Sequence, residues 1–185
     1  MTPVRFLPLL AGLVGATVLL APLLAASPVT AQEPTDPAQG ESREQTHAPV
    51  MQPESALFSL ANEERARNGI PPLQFDDALL DAARLRAIEQ ARAGTLTHTD
   101  ASGGLAFSRL LSEAGVQIRV AGEALVRVNG PEDRMPAYAH QTLVGSERHR
   151  TLLLDPRFTH LAVGAAATPG QLVFAQIFSA RLEGS

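Results

Sequence analysis

The twenty residues from Gly145 to Gly164 constrain the fold more than any other stretch, because they carry a helix end, a turn and a strand in immediate succession. Gly145 and Ser146 close a helical segment. Asp155-Pro156 then forces a turn, since the residue before a proline is pushed out of the α region, and Phe158 to Val163 reads as a strand. His149 falls in the hinge between these elements. A side chain held on a connection between rigid elements carries function more often than one on a helix face.

Helices dominate the chain ahead of this stretch. Leu57, Leu60, Ala61 and Ala66 recur at helical spacing and stop at Asn68-Gly69 and Pro71-Pro72, which predicts a first helix over Ser55 to Arg67. Phe75-Asp76-Asp77 opens a second, with an aspartate N-cap supplying about 1 kcal/mol and Gly94 closing it at C′. Leu79, Ala82, Ala83 and Ala87 give that helix a narrow stripe of small residues, suited to close approach. His98 lies in its exit loop, Thr95 to Asp100, and a shorter helix follows over Ala106 to Ala114 with Phe107, Leu110 and Leu111 on one side.

From Val116 to Val128 the period becomes two. Ile118, Val120, Gly122, Ala124, Val126 and Val128 are expected on one face, and Arg119, Ala121, Glu123, Leu125 and Arg127 on the other. After Asn129-Gly130-Pro131 a helix runs through Tyr138, Leu143 and Val144, with Pro136 near its start. Pro169-Gly170 makes a hairpin turn into Leu172 to Phe178, apolar on both faces except at Gln176, as a central strand covered on both sides would be. Phe75, Phe174 and Phe178 are expected in the core. The order α, α, α, β, α, β, β is not the alternation of a doubly wound parallel sheet. It predicts an α+β fold, three antiparallel strands with helices on both faces.

Residues 1–31 have the pattern of a secretory signal peptide: Arg5, an uncharged apolar run from Phe6 to Ala26, and small residues before Gln32. An uncleaved membrane anchor is the competing reading of that run. Residues 32–53, rich in Pro, Gln, Glu, Ser and Thr, read as a disordered linker, and the folded domain is expected over 54–182. All fifteen basic residues are arginine; without the one in residues 1–31, 14 stand against 19 acidic residues, a net charge of −5 that offers no basic face for nucleic acid. The chain has no cysteine, so the domain must hold without disulfides and cannot carry a lipid on cysteine.

Of the five histidines, His47 lies in the linker. His140 reads as a polar-face residue of the fourth helix and His160 as an exposed strand residue that could line a cleft. His98, Glu123 and His149 come from a loop, a mid-strand position and a hinge. Histidines with a carboxylate form a divalent-metal set or an acid/base set. The bland alternative for each is a capping or solvated histidine, and a Glu123 that simply pairs with Arg119 or Arg127. No short-range ligand motif such as H-E-x-x-H is present.

The chain also resembles a known family. Leu57 to Ala66, Pro72-Leu73 with Phe75-Asp76, Thr97-His98-Thr99, Ala121-Gly122-Glu123, and Ser146 with His149-Arg150 ahead of Asp155-Pro156 and Phe158-Thr159 are similar to the bacterial branch of the CAP superfamily, or SCP domain. The resemblance covers about Leu57 to Phe178. It implies a three-layer α/β/α sandwich with a central antiparallel sheet, in a secreted or periplasmic protein. It also implies a cleft where two histidines and acidic residues can hold a divalent cation. His98 matches the family's first histidine, Glu123 the glutamate of its Gly-Glu-Asn motif and His149 its second histidine. The departures are Ala124 in place of asparagine, Leu143 where tryptophan is common, and Glu147-Arg148 in place of Pro-Gly. The second acidic residue of the eukaryotic cleft has no clear counterpart, although Glu147 is near enough to be considered.

Two functions follow as expectations. In the first, a monomeric binding module takes a divalent metal, zinc before calcium or magnesium, together with a small extracellular ligand (lipid, glycan or peptide) or a cell-envelope component. In the second, a hydrolase acting on peptides or esters uses His98, Glu123 and His149, with a histidine or a metal-bound water as base. The first is favoured because no serine or cysteine sits beside these histidines in a nucleophile elbow; Ser146 and Thr99 read as capping residues.

Overall fold

A computed structural model describes residues 51–181; the expected signal segment and all but the last three residues of the expected linker fall outside them. Helix α1 spans Gln52–Arg67 and begins three residues ahead of expectation. Pro53 sits in the first turn, where its missing N–H costs nothing, and Glu54 folds back so that its carboxylate accepts the Met51 N–H at 2.8 Å. Glu54 is also buried, where it binds Arg84 at 2.6 Å and accepts the Ala165 amide. The residue at the expected domain boundary is thus an anchor.

Helix α2 spans Asp77–Ala93 between the two expected caps: Asp76 accepts from the Ala78 amide, and Gly94 adopts the left-handed conformation at φ 72°. Helix α3 spans Ala106–Glu113, a 3-10 turn covers Glu132–Arg134, and α4 spans Met135–Gly145. The chain then restarts at once as α5, Glu147–Leu153. His149 therefore stands on a short helix rather than in a hinge. The break between α4 and α5 is confined to Ser146, whose backbone is extended at φ −94°, ψ 118° and whose hydroxyl makes no capping bond.

The sheet has the order β1-β3-β4-β2, with β2 at Ile118–Asn129, β3 at His160–Thr168 and β4 at Gln171–Arg181. The long strands are antiparallel, as expected, and β4 is central. Strand β1, Gln74–Phe75, adds a short parallel pairing to β3 that the sequence did not announce, since two residues carry no periodicity. Asn62 of α1 sets its position by donating to the Leu73 carbonyl and accepting the Leu73 amide, at 3.0 and 2.8 Å. Phe75 is not core: it is 37% exposed, its ring edge-on to Phe58 at 5.9 Å. Strand β3 begins two residues later than expected because the Pro156 turn runs on, and Phe158 packs into the core ahead of it.

Two apolar layers flank the sheet. Leu57 and Ala61 of α1, Met135, Ala139 and Leu143 of α4 and Leu153 of α5 pack on Val126, Leu161, Val163, Phe174 and Phe178. On the other face Leu79, Leu80 and Ala83 of α2 and Phe107 and Leu111 of α3 pack on Ala162 and Ile177. This is the α/β/α sandwich expected. The faces of β2 alternate as predicted from Val120 onward, but the register shifts between Ile118 and Val120. The extra residue of that bulge turns Ile118 to the α2 side, beside Ala121, rather than alongside Val120.

The small-residue stripe of α2 meets β3 at Gly164. A Cβ there would fall inside the van der Waals shells of the Ala83 carbonyl and the Arg84 amide, so backbone lies against backbone. Arg65 fixes the other layer: fully buried, it donates to the carbonyls of Pro71, Leu153, Asp155 and Phe158, and so ties α1 to the end of α5 and the turn beyond it. Burial pushes its guanidinium below its usual range, partly offset by the charge of Asp155. His140, expected on a polar face, is buried on α4, and burial holds its imidazole below its usual pKa against the opposing pull of Glu64.

Two measurements check this packing. Gly164→Ala is expected to cost about 3 kcal/mol or more in denaturant unfolding, since the backbone cannot yield as a side chain would. Gly145→Ala, with open space around it, should stay within about 0.5 kcal/mol. The lowered pKa of His140 means that the unfolded chain binds its proton first. Its contribution is therefore fully present above about pH 6.5 and is lost as pH falls from there through the folded value. His140→Gln should flatten the stability profile in that window.

Candidate functional site

Helix α2 carries Arg86 into the interior, where 2% of its surface remains exposed. Its Nε donates to Glu123 Oε1 at 2.7 Å, one terminal nitrogen donates to Glu89 at 2.6 Å, and the other reaches the Thr97 carbonyl and Glu123 Oε2. Burial alone would lower its pKa, but the bonds to Glu123 and Glu89 outweigh burial and leave it raised. Glu123 thus pairs with Arg86, not with the flanking Arg119 or Arg127. Arg127 instead points along its strand face to the C-terminal end of α2 and donates to the carbonyls of Gly94 and Gln90.

The second oxygen of Glu123 meets His98 Nδ1 at 2.8 Å. A carboxylate can only accept, so Nδ1 donates in this bond and Nε2 is the ring nitrogen it leaves over. The loop bearing His98 is held by Arg86 on the Thr97 carbonyl and by buried Gln90, whose side-chain oxygen accepts the Thr97 amide at 2.7 Å. Thr99 exchanges a hydroxyl contact with Thr97 and caps no helix.

His149 approaches from the opposite helical layer. Among the described residues strand β2 is an outer strand, paired with β4 alone, and residues 120–123 line the cleft. Gly122 makes the approach of α5 possible, since a Cβ there would lie 2.5 Å from Leu152 Cδ1. The result is a cleft of about 400 Å³ lined by His98, Glu123 and His149 together, with Arg148, Asp155 and Arg157 around it and Phe107, Leu152 and Phe158 as apolar wall. Burial, then the charges of His98 and Arg148, hold the His149 imidazole below its usual pKa, which keeps it neutral near pH 7.

All three expected site residues therefore reach one cleft, but not one coordination sphere. Among the described residues no group of three or more His, Cys, Asp or Glu side chains is arranged to hold a metal ion. Both oxygens of Glu123 are engaged, by Arg86 and by His98, so of the three only the two imidazoles could hold a metal. Glu147 lines a neighbouring groove, with Arg150 and Pro156, and does not line the cleft, so it is not the missing acid. His160 is half-buried and stands outside the cleft, 2.8 Å from the Thr159 hydroxyl. Sequence reasoning missed Arg86. Its only signal is a charged residue one position before Ala87 of the buried stripe, and any solvated helix offers the same.

Residues 58–178 match the model of the cysteine-rich secretory protein family, CAP. The chain belongs to the CAP family. It does so without a single cysteine. An uncharacterised Bacillus subtilis protein, YkwD, is 30% identical over 112 residues, covering 60% of this chain and 41% of that one. An extracellular protein of Bacillus anthracis containing an SCP domain superposes with TM-score 0.59 at 24% identity, over 73% of this chain and 45% of that one. An outer surface protein of Borrelia burgdorferi gives TM-score 0.57 at 21% identity, over 69% and 92%. This CAP chain thus spans less than half the length of both Bacillus proteins.

Removing one member of the central pair should expose its cost. Arg86→Met leaves Glu123 buried without its cation and is expected to destabilise the fold by about 3–5 kcal/mol in chemical denaturation. The double variant Arg86→Met/Glu123→Leu should recover most of that loss, because it buries no charge.

Proposed function

We propose that this CAP domain is an exported, monomeric binding module. Its cleft takes a small extracytoplasmic ligand or cell-envelope component and, through His98 and His149, binds a divalent cation weakly. The observation that carries this reading is the pair of imidazoles at one cleft, one oriented by a buried carboxylate and the other kept neutral by burial. Glu123 acts behind His98 as its orienting partner, the usual outer-shell role of a carboxylate beside a ligand histidine. Two nitrogen ligands suit zinc before calcium or magnesium, and with water completing the shell the ion exchanges freely. A secreted or periplasmic location draws support from the signal-like residues 1–31 and from relatives described as extracellular or outer-surface proteins.

The His98–Glu123 pair would equally serve a hydrolase, as a base oriented for a water nucleophile. Two assays separate the readings. Calorimetric titration with zinc at about pH 7.5, above the ordinary histidine pKa, should show weak reversible binding that the His98→Ala/His149→Ala variant loses while still unfolding cooperatively. Undiminished binding in that variant, or none in the wild type, would sink the cation site. Turnover of peptides or esters that disappears in both His98→Ala and Glu123→Gln would replace the binding module with the enzyme.

A further inference from the structure

The cleft's charges are not evenly paired. Two carboxylates line it, and each is already matched inside the protein. Glu123 holds Arg86 and His98. Asp155 is clamped by Arg157, whose Nε and terminal nitrogen reach its two oxygens at 3.0 and 2.6 Å, and it also accepts the Arg157 amide. These contacts hold the Asp155 carboxyl below its usual range. Arg148 is different: it lines the cleft beside His149, is exposed, and forms no ion pair or hydrogen bond among the described residues. Arg148 is thus the one charged group of the lining without a partner among the described residues.

We infer that the cleft recognises a carboxylate-bearing ligand, its headgroup held by Arg148 against the two imidazoles and its short apolar body lying on Phe107, Val120, Leu152 and Phe158. This deepens the proposed binding function and rests on it. A planar guanidinium matches a carboxylate by two parallel hydrogen bonds, and a free one can do so without breaking an existing pair. These apolar side chains come to the cleft from both helical layers, Phe107 from the α2 side and Val120, Leu152 and Phe158 from the α5 side, and half-exposed Leu105 joins them in the lining. A volume of about 400 Å³ lies within the roughly 300–1,000 Å³ typical of small-molecule sites, which favours a compact acid over an extended chain. An alcohol of the same shape would leave Arg148 unmatched, and an ammonium would be repelled by it.

Hexanoate, hexanol and hexylamine share one apolar body and differ in the headgroup. Titrated into the full domain with a chelator present and followed by amide NMR, hexanoate should shift resonances of residues around 105–107, 120–123 and 148–152. It should bind at least about tenfold more tightly than the alcohol or the amine, a factor equal to about 1.4 kcal/mol. Arg148→Gln should weaken hexanoate by a similar factor with unfolding unchanged, and Arg148→Lys should recover part of it. Equal affinity for the three headgroups, an unaffected Arg148→Gln variant, or no binding of hexanoate at millimolar concentration would overturn the assignment. Because the chelator removes metal, hexanoate binding that survives alongside failed zinc titration would overturn the cation reading alone. Zinc binding without headgroup discrimination would overturn only this one.

Discussion

The buried pair of Arg86 and Glu123 is the interaction on which the rest of the molecule's geometry turns. It joins α2, on one face of the sheet, to the outer strand β2, and it does so where almost no water reaches. A charged pair in that position is tolerated only when its remaining donors and acceptors are also filled. Glu89, the Thr97 carbonyl and His98 fill them. The cost of burying charge is thereby converted into directional constraint: the loop after α2 has one place to sit, and His98 has one orientation. The site is ordered because the interior demands it, before any ligand arrives.

Arginine performs the same service elsewhere. Arg65 gathers the carbonyls of Pro71, Leu153, Asp155 and Phe158, Arg84 locks Glu54 at the start of α1, and Arg127 closes the C-terminal end of α2. A guanidinium has five N–H donors in a fixed plane, enough to bind several acceptors at once, whereas an ammonium is a compact point charge. In a family named for cysteine, this cysteine-free chain fastens its layers by such multidentate clasps.

What could be read from the sequence was whatever depended on local rules. Asp76 and Gly94 bound α2 as caps, Pro169-Gly170 turns the hairpin, and the two-sided apolar run of β4 marks a central strand. His98, Glu123 and His149 were found because each stands out locally and matches a family position, and they do share a cleft. The partners of Glu123 were not legible. Arg119 and Arg127 are nearer in sequence, but Arg86 is nearer in space, and only the packing of α2 across the sheet determines that. The bulge ahead of Val120, the two-residue β1 and the burial of His140 escaped for a related reason, because each is set by a neighbouring element and leaves no period of its own.

Strand β4 has a consequence in time as well as in space. It is the middle strand of the three long ones, yet it is the last of them along the chain, pairing with residues 160–168 on one side and 118–129 on the other. While residues up to about 170 emerge from a ribosome, β2 and β3 have nothing between them, and the helices lack the middle of the sheet they cover. The pairing with β3 is a local hairpin, but the pairing with β2, from Asn129 opposite Gln171 to Ile118 opposite Arg181, is distant in sequence, and such contacts form slowly. The sheet that both cores pack on is therefore complete only once Gln171–Arg181 is in place.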